Sequence, residues 1–189
     1  LGPLSNVNKK YFKGERPFWN ELTEHPNYDE YWQARDVLQH LTDTKPATLV
    51  VGGWYDTEDL YGPLYTYKAM SHSNKNEHIK MVMGPWSHGQ WNSPKGGKSL
   101  GEGQFGFDTS KWFQEEIQLP FFKQHLKAED DAKIATATMF ETGSNRWREF
   151  DVWPPKKAEK QTLYFTQKES FSDKKVNAGA SEYLSLIHI

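Results

Sequence analysis

Two short apolar runs, each closed by glycine and separated by one helical stretch, constrain this chain more than anything else in it. Ala47-Thr48-Leu49-Val50-Val51 is followed by Gly52-Gly53, and Ile79 to Met83 by Gly84-Pro85. Uninterrupted apolar runs of this length suit strands buried on both faces. Between them, Asp59 to about Ser71 carries Leu60, Leu64, Tyr67 and Ala69-Met70 and reads as a helix, with Pro63 tolerated in its first turn. Strand, helix, strand in about 37 residues is a βαβ unit, which predicts parallel strands and a right-handed crossover.

Composition narrows the rest. Only 36% of the 189 residues are hydrophobic, but 8 Trp, 9 Tyr and 11 Phe supply large rings for a core, which argues against disorder. A formal net charge of −2 leaves no electrostatic footprint for nucleic acid or an anionic membrane. No run approaches the length of apolar sequence that spans a bilayer. The absence of Cys excludes disulfides and cysteine-ligated zinc, and leaves the compartment open.

Outside the βαβ unit, Leu1 to Glu24 reads as loop with aromatic anchors Tyr11, Phe12, Phe18 and Trp19. Asn27 and Glu30 form a capping-box pattern before a predicted helix from Tyr28 to about Leu41. Trp91 to Gly106 is a Gly-rich loop. Asp108 to Ser110 caps a predicted helix, Lys111 to Leu119, and Pro120 opens or kinks a continuation to about Leu126. Beyond a polar linker at Ala128 to Asp131 the texture turns to strands: Ala135 to Phe140, Trp147 to Trp153 and Gln161 to Thr166. This change places an expected domain boundary near 129, with an all-β module after it. Leu184-Ser185-Leu186-Ile187-His188-Ile189 resembles the translation of a library-preparation adapter, and is set aside from the fold; its alternative is a short apolar strand.

Chemistry concentrates at the ends of the two apolar runs. Asp56 lies just past the first and His88 just past the second. Parallel strands deliver both loops to one sheet edge, where ligand sites of open α/β sheets lie. Neighbouring strands run about 4.8 Å apart, so the two side chains can meet. An acid orienting an imidazole is two-thirds of a nucleophilic triad. The alternative is that Asp56 caps the following helix and His88 is an ordinary loop residue. Gly97-Lys98-Ser99-Leu100-Gly101 matches the G-x-S-x-G pattern, but follows no strand and lies after both partners, against the hydrolase order of Ser, Asp, His. The overlapping G-x-G-x-x-G at 101–106 likewise lacks its strand and helix. The histidines at 25, 40, 72, 78 and 125 form no metal-ligand pattern, and the Lys pairs at 156–157 and 174–175 read as solvated turns.

At these residues the chain resembles a known group. Gly52-Gly53-Trp54-Tyr55-Asp56-Thr57-Glu58-Asp59 and Met83-Gly84-Pro85-Trp86-Ser87-His88 resemble the cocaine esterase/X-Pro dipeptidyl-peptidase superfamily of serine hydrolases. His25 to Gln33, Leu119 to Phe122, Gly143 to Arg148 and Trp153-Pro154-Pro155 fit the same group, and the nearest subgroup is the α-amino acid ester hydrolases, or β-lactam antibiotic acylases. The resemblance implies an α/β class: the end of a helical cap at 1–41, the C-terminal part of an α/β-hydrolase domain at 42–128, and the start of a jelly-roll-like β-sandwich domain at 129–183. It implies Asp56 as triad acid, His88 as triad base, and Glu58 and Asp59 as acids that bind a substrate ammonium group. Paired carboxylates suit that cation, although first-turn acids complementing a helix dipole explain Glu58 and Asp59 as well. The nucleophile, its oxyanion tyrosine and a third acid are expected upstream, so the chain is expected to be an inactive piece of a longer hydrolase. No metal or organic cofactor is implied. The expected partner is a small molecule or peptide with a free α-amino group, not nucleic acid or membrane; homo-oligomerisation is left open. A periplasmic or secreted location fits the group. Two alternatives stand beside this reading: an X-Pro dipeptidyl-peptidase, and a non-catalytic binding module with a degenerate hydrolase part.

Overall fold

The computed structural model describes residues 3–73, 78–127, 133–166 and 170–175. The chain divides into two compact units, Leu1–Asp151 and Val152–Ile189.

The first unit is built on a four-stranded sheet, in the order β1 (Thr48–Gly53), β2 (Ile79–Gly84), β5 (Ala137–Glu141) and β6 (Arg146–Phe150). The two glycine-closed runs form β1 (Thr48–Gly53) and β2 (Ile79–Gly84), parallel and in register from Thr48↔Ile79 to Gly53↔Gly84. Before β1 come α1 (Ser5–Val7), a π turn at Asn8–Phe12, α2 (Pro17–Glu24) and α3 (Glu30–Gln33); between the two strands lies only α4 (Tyr61–Ser73), which joins β1 to β2. α4 buries Tyr67 and Met70, the apolar positions three residues apart that face the sheet. The predicted βαβ unit is therefore present.

A two-residue hairpin, β3 (Ser99–Leu100) with β4 (Gly103–Gln104), occupies the Gly-rich loop. It places Ser99 in no strand-turn-helix elbow, and makes 101–106 a hairpin turn with its continuation rather than a phosphate cradle. α5 (Thr109–Phe113) runs through a π segment, Gln114–Gln118, into α6 (Leu119–Lys127). Asp108 caps α5, its Oδ1 accepting from Lys111 N at 3.0 Å. Pro120 has no N–H and crowds the carbonyl four residues earlier, and the wider π turn just before it absorbs that conflict without ending the helix.

β5 (Ala137–Glu141) pairs parallel to β2 on its other side, and β6 (Arg146–Phe150) returns antiparallel to β5. The expected boundary near 129 is thus corrected: these strands complete the sheet of the first unit, and the division falls after Asp151. An apolar run such as Ala137 to Phe140 reads alike in a parallel sheet and in a sandwich, so only its non-local pairing tells them apart.

Two further expectations change. The N-terminal segment is helical rather than loop, with Pro17 at the first position of α2, where a missing N–H is no loss. The predicted helix from Tyr28 to Leu41 is broken into α3 and a 3₁₀ turn, Val37–His40. The caps are Asp29, accepting from Tyr31 N, and Asp36, accepting from Leu38 N, not Asn27. Asp36 in mid-segment captures its own downstream N–H and starts a new turn.

Aromatic rings build the core. Trp86, Phe113, Val82 and Ile117 pack with Trp91, Trp112 and Trp147. Trp112 stacks on Trp147 at 4.6 Å, and Phe140 meets Trp147 edge-on at 5.2 Å. Fully burying one such side chain contributes on the order of 2–3 kcal/mol, which is how a chain of modest apolar content sustains a core.

In the second unit, β7 (Tyr164–Phe165) and β8 (Phe171–Ser172) pair antiparallel, closed by Thr166 N donating to Ser170 O at 3.0 Å. The hexapeptide 184–189 lies outside the described residues. Among the described residues no helix is long and apolar enough to cross a membrane.

Candidate active site

The two strand ends are held together beyond their ladder. Trp54 N donates to Gly84 O at 2.8 Å, and Tyr55 N to Trp86 O at 3.1 Å. Trp54 Nε1 reaches across to Phe140 O at 3.0 Å and ties the loop to β5. This closeness requires glycine. A Cβ on Gly53 would stand 2.1 Å from Trp86 O, and one on Gly84 2.4 Å from the Trp86 ring.

Asp56 and His88 meet at this edge. His88 Nδ1 lies 2.9 Å from Asp56 Oδ2, and because an ionised carboxylate only accepts, Nδ1 carries the donated proton. Asp56 Oδ1 accepts from the N–H groups of Glu58 and Asp59, both at 2.9 Å. The acid therefore ties down its own loop and orients the imidazole at once. Its side chain is 2% exposed, against 59% for His88. Burial opposes ionisation of Asp56, yet the Asp59 and Glu58 N–H groups and His88 together hold its carboxyl below the usual aspartate value. The hydrogen bond and charge of Asp56 raise His88 above the ordinary histidine value, and Glu58 and Asp59 add to the rise.

The His88 loop is latched from the other side by residues that the motif reading did not single out. Gln90 Oε1 accepts from Ser87 N at 3.1 Å, and its Nε2 donates to Ser99 O at 3.1 Å. Ser110 Oγ donates to Gln90 O at 3.0 Å. Buried Trp86 donates from Nε1 to Thr109 Oγ1 at 2.9 Å, which in turn donates to Gly97 O at 2.7 Å. The Asp108-Thr109-Ser110 cap marked two hydroxyls at a helix start, but not the loop carbonyls of Gly97 and Gln90 that they meet.

Of the two predicted ammonium-binding acids, Glu58 is exposed, with Oε2 3.5 Å from His88 Nδ1. Asp59 spends Oδ1 on Gly62 N at 2.6 Å and so starts α4. The other histidines stay apart from this edge chemistry: His72 Nδ1 contacts Lys68 O at 3.0 Å, and His78 packs edge-on against His125. Among the described residues no group of three or more His, Cys, Asp or Glu is disposed to hold a metal ion.

Such an arrangement can take a proton from a hydroxyl at Nε2 and stabilise the resulting imidazolium. The chain is similar to several known proteins that are hydrolases by name. The profile of the X-Pro dipeptidyl-peptidase (S15) family matches residues 3–90. Cocaine esterase from Rhodococcus sp. (strain MB1 Bresler) is 29% identical over 140 residues, covering 71% of this chain and 23% of that protein. The crystal structure of an aminopeptidase from a marine sediment archaeon, Thaumarchaeota archaeon, is 34% identical with a TM-score of 0.77, covering 83% of this chain and 26% of its own. An α-amino acid ester hydrolase structure is 28% identical with a TM-score of 0.81, covering 92% and 29%. The chain thus spans about a quarter of the length of these relatives. The chain is thus similar, over part of their length, to hydrolases of the cocaine esterase/X-Pro dipeptidyl-peptidase superfamily.

Proposed function

We propose that the chain supplies the acid and base of a serine hydrolase that cleaves esters or amides of α-amino acyl groups. The observation that carries this reading is the 2.9 Å contact between buried Asp56 and exposed His88 at the carboxyl edge of two parallel strands. In this reading a serine from outside these 189 residues attacks the acyl carbon. His88 takes its proton and passes it to the leaving group, and water then releases the acid from the acyl-enzyme. Glu58, with the second carboxylate oxygen of Asp59, holds the substrate ammonium by charge-assisted contacts. No metal or organic cofactor enters this scheme. The segment after Asp151 belongs, in the same reading, to a jelly-roll-like β-sandwich, and the whole protein is periplasmic or secreted.

A second reading, an X-Pro dipeptidyl-peptidase, is supported by the family match over residues 3–90. Product analysis on the complete protein separates the two. An α-amino acid methyl ester should be cleaved at least ~10-fold faster than its N-acetyl counterpart, as expected when an ammonium contact is lost. Preferred release of an Xaa-Pro dipeptide from its anilide would transfer the assignment to the peptidase. The 189-residue chain alone should turn over neither; hydrolysis by it that His88→Ala abolishes would overturn the external nucleophile.

A further inference from the structure

Three carboxylates surround His88, and they are not equivalent. Asp56 is buried and fixed by two backbone N–H groups. Asp59 is pinned to the start of α4, where a Cβ on Gly62 would fall 2.1 Å from its Oδ2. Glu58 is 71% exposed, caps no backbone N–H among the described residues, and approaches the same Nδ1 that Asp56 holds. Besides these acids, the ring faces Trp91, with centroids 6.4 Å apart.

We propose that Glu58 is a positioning residue with two partners in turn: in the free site it pairs by charge with the His88 ring, its Oε2 3.5 Å from the Nδ1 that Asp56 holds, and on binding it is drawn off by a cationic substrate group. The proposal rests on the reading of the substrate as a free amine. An exposed ion pair has little net worth, so exchanging one cationic partner for another is cheap. The exchange has a consequence that a static ammonium pocket lacks. A cation on Glu58 removes one of the charges that favour the imidazolium, so the base is released in its neutral, working form when substrate arrives. By linkage, protonated His88 must weaken amine binding by the same factor.

The test is an NMR titration of the His88 ring in this chain, comparing wild type, Glu58→Gln and a control charge removal, Glu24→Gln. Each is measured alone, with L-alaninamide and with N-acetyl-L-alaninamide, and an unchanged amide spectrum checks the fold. The His88 midpoint should fall in Glu58→Gln and stay put in Glu24→Gln. Alaninamide should lower it in wild type but not further in Glu58→Gln, and the acetylated probe should leave it unmoved. Alaninamide should also bind several-fold more weakly below the His88 midpoint than above it. An unmoved midpoint in Glu58→Gln, or an equal alaninamide effect in wild type and Glu58→Gln, would overturn the proposal. The functional reading fails separately, on the ester against N-acetyl ester comparison, which does not involve the His88 signal.

Discussion

Among the described residues of the first unit, two histidine–aspartate pairs form, and only one has the asymmetry of an acid that orients a base. His25 Nδ1 lies 2.6 Å from Asp29 Oδ2, closer than the 2.9 Å between His88 and Asp56. Yet His25 and Asp29 are both partly exposed, four residues apart, and Asp29 uses its other oxygen to cap α3. The His25 ring stacks flat on Tyr31 at 4.4 Å, and Trp32 Nε1 donates to His25 O at 2.7 Å. That pair folds a turn. In the other pair the acid is buried, the base is exposed, and the partners come from loops 32 residues apart in sequence. Proximity of the two groups does not distinguish the pairs; asymmetry of burial and placement at a parallel strand edge do.

The sharpest way to break this contrast is mutation of each pair in the complete protein. His88→Ala or Asp56→Asn should cut kcat/KM for an amino acid ester by roughly 10³-fold or more. His25→Ala should change it by less than about threefold and show instead as a stability loss. Equal losses from both histidines would remove the distinction.

The next largest effect concerns what holds the partners together. Gly53→Ala places a Cβ against Trp86 O and should destabilise by about 2–4 kcal/mol, read as a lowered Tm. Asp29→Ala removes only a cap and should cost about 1 kcal/mol. A harmless Gly53→Ala would mean that the strand-end loops are not as closely bound as their hydrogen bonds indicate.

The smallest effect is in pH dependence. Asp56 raises His88, and a base must be neutral to accept a proton, so the acidic limb of kcat/KM should lie above the ordinary histidine value of 6.5. For stability the signs divide. The raised His88 stabilises the fold below its unfolded value, and that contribution is lost as pH rises through the folded one. The depressed Asp56 stabilises above its unfolded value and loses that contribution as pH falls through the folded one. Asp56→Asn should shift any residual acidic limb downward; a limb already below 6.5 in wild type would contradict the pairing.

How much of this was legible depended on how local each signal was. The βαβ unit could be read because two apolar runs, a helix and closing glycines all lie within one stretch; parallel neighbours put Asp56 and His88 within reach of each other, while the resemblance favoured their pairing over a helix cap and an ordinary loop histidine. The break at Asp36 was hidden because the capping-box pattern at Asn27 and Glu30 marks only a start, while a break is decided by one side chain's local competition. The joining of β5 to β2 was hidden because residues far apart in sequence form it. The latch of Gln90, Thr109 and Ser110 escaped for the same reason: each member is an ordinary polar residue until the fold gives it a partner.

The Trp54 indole bond to Phe140 O joins residues 86 positions apart. It makes the geometry of the acid's loop depend on a strand synthesised long after the loop itself. During translation, Asp56 and His88 both leave the ribosome before β5 does. The strand from Ala137 to Glu141 therefore adds the last tie to the acid's loop, and any break in the chain before that strand leaves the loop without its outer anchor.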